Sequence, residues 1–199
     1  LKKRFPWCHK WIIHSIHSLS RLFYRLGLSM RRVDKNITIR VVDEFDERIN
    51  RFWERLKDRY EIMTVRNLPY LNWRYKDRRY KIIIGEENKE VVGYVVTKIE
   101  DCGDAKVGYI VDILSGDDKT SSIMAGVLKS FIEQDVDYVL CGTLRLDSLY
   151  THLKRIGFKE HKEIKPIQVV VTPLSSEIDM EFLLNQKNWH LTYGDTDGF

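Results

Sequence analysis

The sequence predicts an α/β domain with a mixed, mostly antiparallel central sheet and helices on both faces, preceded by an N-terminal amphipathic helix. Three stretches carry that prediction. Residues 80–99, YKIIIGEENKEVVGYVVTKI, are two β-branched runs around a polar turn, the pattern of a hairpin. Residues 107–142 read as strand, turn, helix and strand, a unit that lays a helix on a sheet. In residues 5–30, Phe5, Cys8, Ile12, Ile16, Leu19, Phe23, Leu26 and Met30 recur every three or four positions, the apolar stripe of a surface helix.

That first helix carries Lys10, His14, His17, Arg21 and Arg25 on its opposite stripe, with Gly27 placed to cap its end. Its apolar side suits packing on a neighbouring domain or on a second copy of the chain. The basic face, with Trp7 and Trp11, also suits the surface of a membrane. Either contact would run through residues 5–30. His14 and His17 have a spacing that a metal can use, but their place on the charged stripe reads as solvated surface, and no metal site is expected. Nine of the 33 Lys and Arg residues but one of the 29 Asp and Glu residues fall within residues 1–36. The remainder is therefore net acidic, and nothing in it reads as a nucleic-acid surface. Residues 1–36 are read as a basic helix or linker and residues 37–199 as the domain.

From residue 37 the elements follow in order. ITIRVV with its flanking Asp43 (37–43) is a strand, and Asp46 is placed to cap a helix lined by Ile49, Phe52, Trp53, Leu56 and Tyr60. NLPYLNWRY (67–75) is a short helix with Pro69 in its first turn. Tyr70, Leu71, Trp73 and Tyr75 are expected in the core, with Arg74 exposed; the same stretch also suits the lip of a substrate site. After the hairpin, VGYIVDIL (107–114) is a strand that is apolar on both faces except at Asp112. The helix over residues 119–133 buries Met124, Val127, Leu128 and Phe131, and Asp117 and Asp118 stand where N-caps belong. DYVLCG (137–142) is a strand, DSLYTHLKRIGF (147–158) a helix closed by Gly157, and PIQVVVTPL (166–174) a last strand. In the tail, Trp189 is the expected aromatic anchor.

Composition is that of a soluble protein, at 43% hydrophobic and 31% charged. No apolar run reaches the roughly 18 residues of a membrane span. Cys8, Cys102 and Cys141 are far apart and form no CxxC pair, which points to a reducing, cytoplasmic setting. The basic residues scattered through 1–30 make a poor signal peptide, and a first residue of Leu reads as a fragment or a processed form.

The stretch VDILSGDDKTSSIMAGVLKSF (111–131), a strand, a polar turn and a helix, sits where many α/β proteins hold a phosphate. With EVVGYVVTKIED (90–101) before it and LYTHLKRIGFKE (149–160) after it, the sequence resembles the GNAT superfamily of acyl-CoA-dependent N-acyltransferases over about residues 37–174. The ending NWHLTYGDTD (188–197) is similar to the tail of a divergent subgroup, in which one GNAT-like half follows another. The resemblance implies acetyl-CoA, or another acyl-CoA, as co-substrate and an amine acceptor on a small molecule or a peptide. It implies that the backbone of Ile113 and Leu114 pairs with pantetheine, and that Gly116, Lys119, Thr120, Ser121 and Ser122 surround the pyrophosphate. It implies Asp112 as general base and Tyr150 as the substitute general acid, since Leu153 stands where the family often places a Tyr.

Two departures from the family pattern matter. Met124 stands where a small residue would let the backbone approach a phosphate, and Asp117 and Asp118 put negative charge beside the proposed anion. For Asp112 the structural alternative is an ion pair with an arginine such as Arg74 or Arg40. Cys141 reads as a small core residue, His152 as exposed, and Asp195 and Asp197 as too few for a calcium loop. The competing functional reading is a GNAT-shaped module without catalysis, serving interaction or substrate docking. Homo-oligomerisation is open.

Overall fold

The computed structural model describes residues 34–160, 170–175 and 177–196. The amphipathic helix expected over residues 5–30 lies outside the described residues.

The strands assemble into a five-stranded sheet in the order β1-β3-β4-β5-β6. β1 is Thr38–Val42, β3 Tyr80–Glu87, β4 Glu90–Asp101, β5 Lys106–Ser115 and β6 Tyr138–Cys141. Neighbours from β1 to β5 are antiparallel, and only β5 and β6 run parallel. Asn88 and Lys89 turn the β3–β4 hairpin with φ of 51° and 68°. Positive φ at both central residues is the mirror-image turn that matches the twist of paired strands.

α1 (Arg48–Leu56) and α2 (Leu68–Arg74) cover one face of the sheet, and α3 (Thr120–Glu133) and α4 (Ser148–Ile156) cover the other. Met124, Val127, Leu128 and Phe131 of α3 meet Ile83, Val95, Ile110 and Ile113. The first turn of α3 sits close because Gly85 and Gly93 pair across β3 and β4. A Cβ on either would lie under 3.0 Å from the side chain of Ile123. On the opposite face, Ile49, Phe52, Trp53, Leu71 and Tyr75 pack on Ile82, Ile84, Tyr94 and Val96. α4 ends as expected at Gly157, at φ 101°, whose amide reaches back to the Lys154 carbonyl while that of Phe158 reaches Leu153.

A small parallel ladder joins β2 (Ile62–Met63) to β7 (Trp189–His190), so the C-terminal segment returns across the α1–α2 side of the molecule. α5 (Met180–Leu184) precedes it. No helix among the described residues is long and apolar enough to cross a membrane.

Several expectations need correction. Residues 170–174 of the expected last strand are not in a strand, and Val170 and Leu174 are exposed; residues 166–169 lie outside the described residues. In the stretch 67–75 only Leu71 of α2 and Tyr75 just after it are buried, Trp73 points to solvent, and Tyr70 and Arg74 are half-buried. A seven-residue helix has a single inward stripe, and Trp73 falls off it. Asp117 and Asp118 do not cap α3, which starts without a side-chain cap. Their carboxylates are drawn instead to Arg59 and to Lys119.

Candidate functional site

β5 and β6 pair from Val107 opposite Tyr138 to Ile110 opposite Cys141, and no further. β5 continues to Ser115 while held by β4 on its other edge. A gap therefore opens beside residues 111–115, and carbonyls of β5 face it. The Ile113 carbonyl accepts from His190 Nε2 at 3.1 Å, and the Ser115 carbonyl accepts from Arg59 Nη1 at 2.8 Å. A buried strand edge without a partner strand has to be satisfied by side chains, and here it is.

His190 is 2% exposed. Its Nδ1 lies 2.7 Å from Asp147 Oδ2, and its ring stacks on Tyr60 at 4.7 Å between centroids. The Tyr60 hydroxyl donates to Asp147 Oδ1 at 2.9 Å, and the same oxygen accepts the Leu149 amide at the start of α4. Burial alone would raise the carboxyl of Asp147, but its bond and attraction to His190 hold it below the usual carboxylate range. Burial pushes Tyr60 up to about 12, so it stays a hydroxyl donor. The free space left in the gap is a cavity of about 10 Å³, room for about one water molecule.

The residues expected around a phosphate are divided by the turn. Ile113, Leu114 and Thr120 line the small cavity. Thr120 Oγ1 is 2.8 Å from Ser115 Oγ. Lys119 faces away, bonded to Glu87 at 3.0 Å and Asp34 at 3.2 Å, with Asp118 at 3.4 Å. Glu87 first, then Asp34, raise its pKa. Ser122 is buried and accepts the Asp34 amide at 2.9 Å. Ser121 is exposed, and Gly116 donates its amide to Val92 at the head of the turn. Met124 is fully buried in the apolar core and leaves the gap clear.

Asp112 is placed by a β-bulge. Val96 pairs with Asp112 and Thr97 with Ile110, so Val111 is the extra residue. Strict alternation would send Asp112 to the α3 side with Ile110. The bulge turns it to the α1–α2 side instead. There Oδ1 accepts from Arg66 Nε at 3.3 Å and Thr192 Oγ1 at 3.1 Å, and Oδ2 from Tyr75 at 2.9 Å and Tyr94 at 3.0 Å. Arg66 reaches on to Asp195 at 2.8 Å. Burial would raise the carboxyl of Asp195, but the charge of Arg66 and the Thr192 amide hold it low. The expected arginine partners lie elsewhere: Arg40 is paired with Glu86, and Arg74 donates to the carbonyls of Gly194 and Thr196.

Tyr150 is outside the small cavity. Its hydroxyl donates to Glu160 at 2.8 Å, on a separate cleft of about 940 Å³ between β6, α4 and the tail. Burial pushes the Cys141 thiol up to about 12, which keeps it protonated and unreactive. His152 is half-buried, with Nε2 3.3 Å from Asp117, because the turn brings that carboxylate onto α4.

Sequence reasoning missed Arg59, Tyr60, Arg66, Asp147 and His190. The available signal was the polar tail itself. Its anchors are His190 and Thr192, both buried, while Trp189 is only half-buried and donates Nε1 to Leu183.

No family model matches the chain, and no curated protein does. Solved structures match over about two thirds of it, up to 70%. An aminoglycoside acetyltransferase from an uncultured soil metagenomic sample, in complex with sisomicin, superposes with a TM-score of 0.52 at 10% identity, covering 70% of this chain and 99% of that one. A probable acetyltransferase gives 0.51 at 11% identity, covering 68% and 99%. An integron cassette protein from the mobile metagenome of V. cholerae gives 0.51 at 13%, covering 69% and 94%. At such identities the likeness is one of fold: the chain has the GNAT fold, shared with the two acetyltransferases among these structures.

Proposed function

We propose that the chain is an acyl-CoA-dependent N-acyltransferase, most simply one that moves an acetyl group to an amine on a small molecule or peptide. The observation that carries it is the run of β5 past its last β6 pair, with the carbonyls of Ile113 and Ser115 turned into the gap. An amide-bearing pantetheine arm pairs with such an edge as a neighbouring strand would. For acyl-CoA to enter, His190 and Arg59 give up those two carbonyls to the ligand. Asp112 takes the amine proton through a hydroxyl that already donates to it, that of Tyr75 or Thr192. The leaving thiolate takes its proton from water rather than from Tyr150, whose hydroxyl is committed to Glu160. The reaction belongs in the cytoplasm, where Cys102 and Cys141 remain free thiols.

Titration of acetyl-CoA into the full chain by calorimetry tests this. Saturable one-to-one heat is expected, and Asp112→Asn should keep that binding while losing acetyl transfer to amines. Absence of binding for acetyl-CoA and longer acyl-CoAs alike overturns the proposal.

A second reading rests on a specific observation: the gap is already satisfied by the chain's own side chains, with about 10 Å³ left over. That favours a GNAT-shaped docking module in which the slot stays permanently filled. It predicts no acyl-CoA heat and no thermal stabilisation by any acyl-CoA.

A further inference from the structure

At the mouth of the gap, Arg59 and His152, from two separate elements, converge on one exposed carboxylate, and Ser148 is bonded to Arg59. Arg59, on the turn after α1, reaches Asp117 with Nη2 and also donates from that nitrogen to Ser148 Oγ at 2.8 Å. His152, one turn along α4 from Ser148, brings Nε2 to 3.3 Å from the same Asp117 oxygen. Asp117 itself is 62% exposed, whereas the side chains of Arg59 and His152 are only 20% and 15% exposed. The nitrogen partners are thus built into the wall, and the carboxylate sits at the surface on a polar turn.

We propose that Arg59, Ser148 and His152 form an anion cradle for a pyrophosphate group, and that the carboxylate of Asp117 fills it in the free chain as a stand-in for phosphate. That the pyrophosphate belongs to acyl-CoA rests on the function proposed above; the cradle itself rests on Arg59 and His152 meeting at Asp117, with Ser148 bonded to Arg59 on the same small cavity. The geometry also answers the lack of glycine in the turn. Lys119, the basic residue of the turn, is committed to Glu87 and Asp34. The counter-charge for a phosphate comes instead from Arg59, whose fork suits two phosphate oxygens at once. An exposed ion pair such as Arg59–Asp117 contributes little by itself, so a ligand with two or more negative charges displaces the Asp117 carboxylate. The displaced side chain turns to solvent, which it already faces. No bond is made or broken in the exchange.

The test uses the full chain with two probes, inorganic pyrophosphate and acetyl-CoA, each titrated by calorimetry. Asp117→Asn removes the internal competitor at an exposed position and should tighten pyrophosphate binding by about fivefold to tenfold. Adding Arg59→Gln to Asp117→Asn should abolish the gain. His152→Asn gives a second variant with an intact backbone contact at Ser115, and it should weaken pyrophosphate in the same background. Melting temperatures of all variants report whether each is folded.

Equal pyrophosphate affinity in the wild type, Asp117→Asn and the double variant overturns the cradle, as does the lack of any pyrophosphate binding. If acetyl-CoA then binds all variants alike, the cradle falls and the acyltransferase proposal stands. If pyrophosphate binds through Arg59 and acetyl-CoA binds no variant, the cradle stands and the acyltransferase proposal falls.

Discussion

On the α3–α4 side of the sheet, Ile110 and Ile113 of β5 meet Met124, Val127 and Phe131 in contacts that are apolar throughout. On the α1–α2 side, Asp112 from the same strand is as deeply buried, but it meets an arginine and three hydroxyls. Both sides exclude water. The first needs only shape, whereas the second needs every partner in place at once. A buried carboxylate that loses its cation, or the reverse, is an uncompensated charge in a medium that cannot solvate it. The apolar side should therefore degrade gradually under substitution and the polar side abruptly.

The largest expected effect follows. Asp112→Ala leaves Arg66, which is 1% exposed, with Asp195 as its one remaining carboxylate partner and removes the acceptor of three buried hydroxyls, and it should cost about 3–5 kcal/mol of stability. Ile110→Val on the other side should cost about 0.5–1.5 kcal/mol. Urea unfolding followed by far-UV circular dichroism measures both. If Asp112→Ala is too unstable to purify, Asp112→Asn, which keeps acceptors for Tyr75 and Tyr94, should fall between them. Equal midpoints for Asp112→Ala and Ile110→Val would break the comparison.

A substitution that adds volume probes the polar side without removing a charge. Gly194 lies against that network, and a Cβ there would sit 2.1 Å from the Tyr75 hydroxyl and 3.2 Å from Asp112 Cβ. The Tyr75 ring cannot retreat without giving up its bond to Asp112. Gly194→Ala should therefore cost about 1–3 kcal/mol, less than loss of the carboxylate and more than Ile110→Val. A neutral Gly194→Ala would mean that the tail is not seated on the sheet as described.

The two sides also differ in how far the sequence discloses them. The apolar side is periodic: Met124, Val127, Leu128 and Phe131 show a helix face, and the β-branched hairpin shows its strands. Hence the element order, the mixed sheet and the placing of residues 111–131 are legible before any coordinates. The polar side is a set of meetings between residues distant in sequence. Arg66 is 46 positions from Asp112, Thr192 is 80 positions away, and Arg66 and Asp195 are 129 apart. No local pattern encodes such pairs. The bulge at Val111 adds a second obstacle, because a one-residue slip changes the face on which Asp112 lands. Asp112 itself stands out as a lone acid in an apolar strand, but the identity of its partners does not. The same holds for His190 and Arg59, which reach the open carbonyls of β5 from opposite ends of the domain.

The smallest effect, and the one most specific to the polar side, is in acid. Asp147 and Asp195 are buried carboxyls that their partners nevertheless hold below the ordinary carboxylate range. Each folded pKa is depressed relative to the unfolded chain, where an Asp titrates near about 3.9. The folded state therefore binds these protons less readily than the unfolded one. Their stabilisation is fully present above the unfolded value, and it is lost as pH falls toward and through the depressed folded values. Asp195→Asn should lower stability at neutral pH and flatten the loss between neutral and acid conditions, because one of the titrating groups is gone. Ile110→Val should shift the whole curve down without changing its slope. Urea midpoints measured from neutral pH into the acid limb separate the two, and parallel curves for both variants would show that Asp195 is not held by Arg66 in solution.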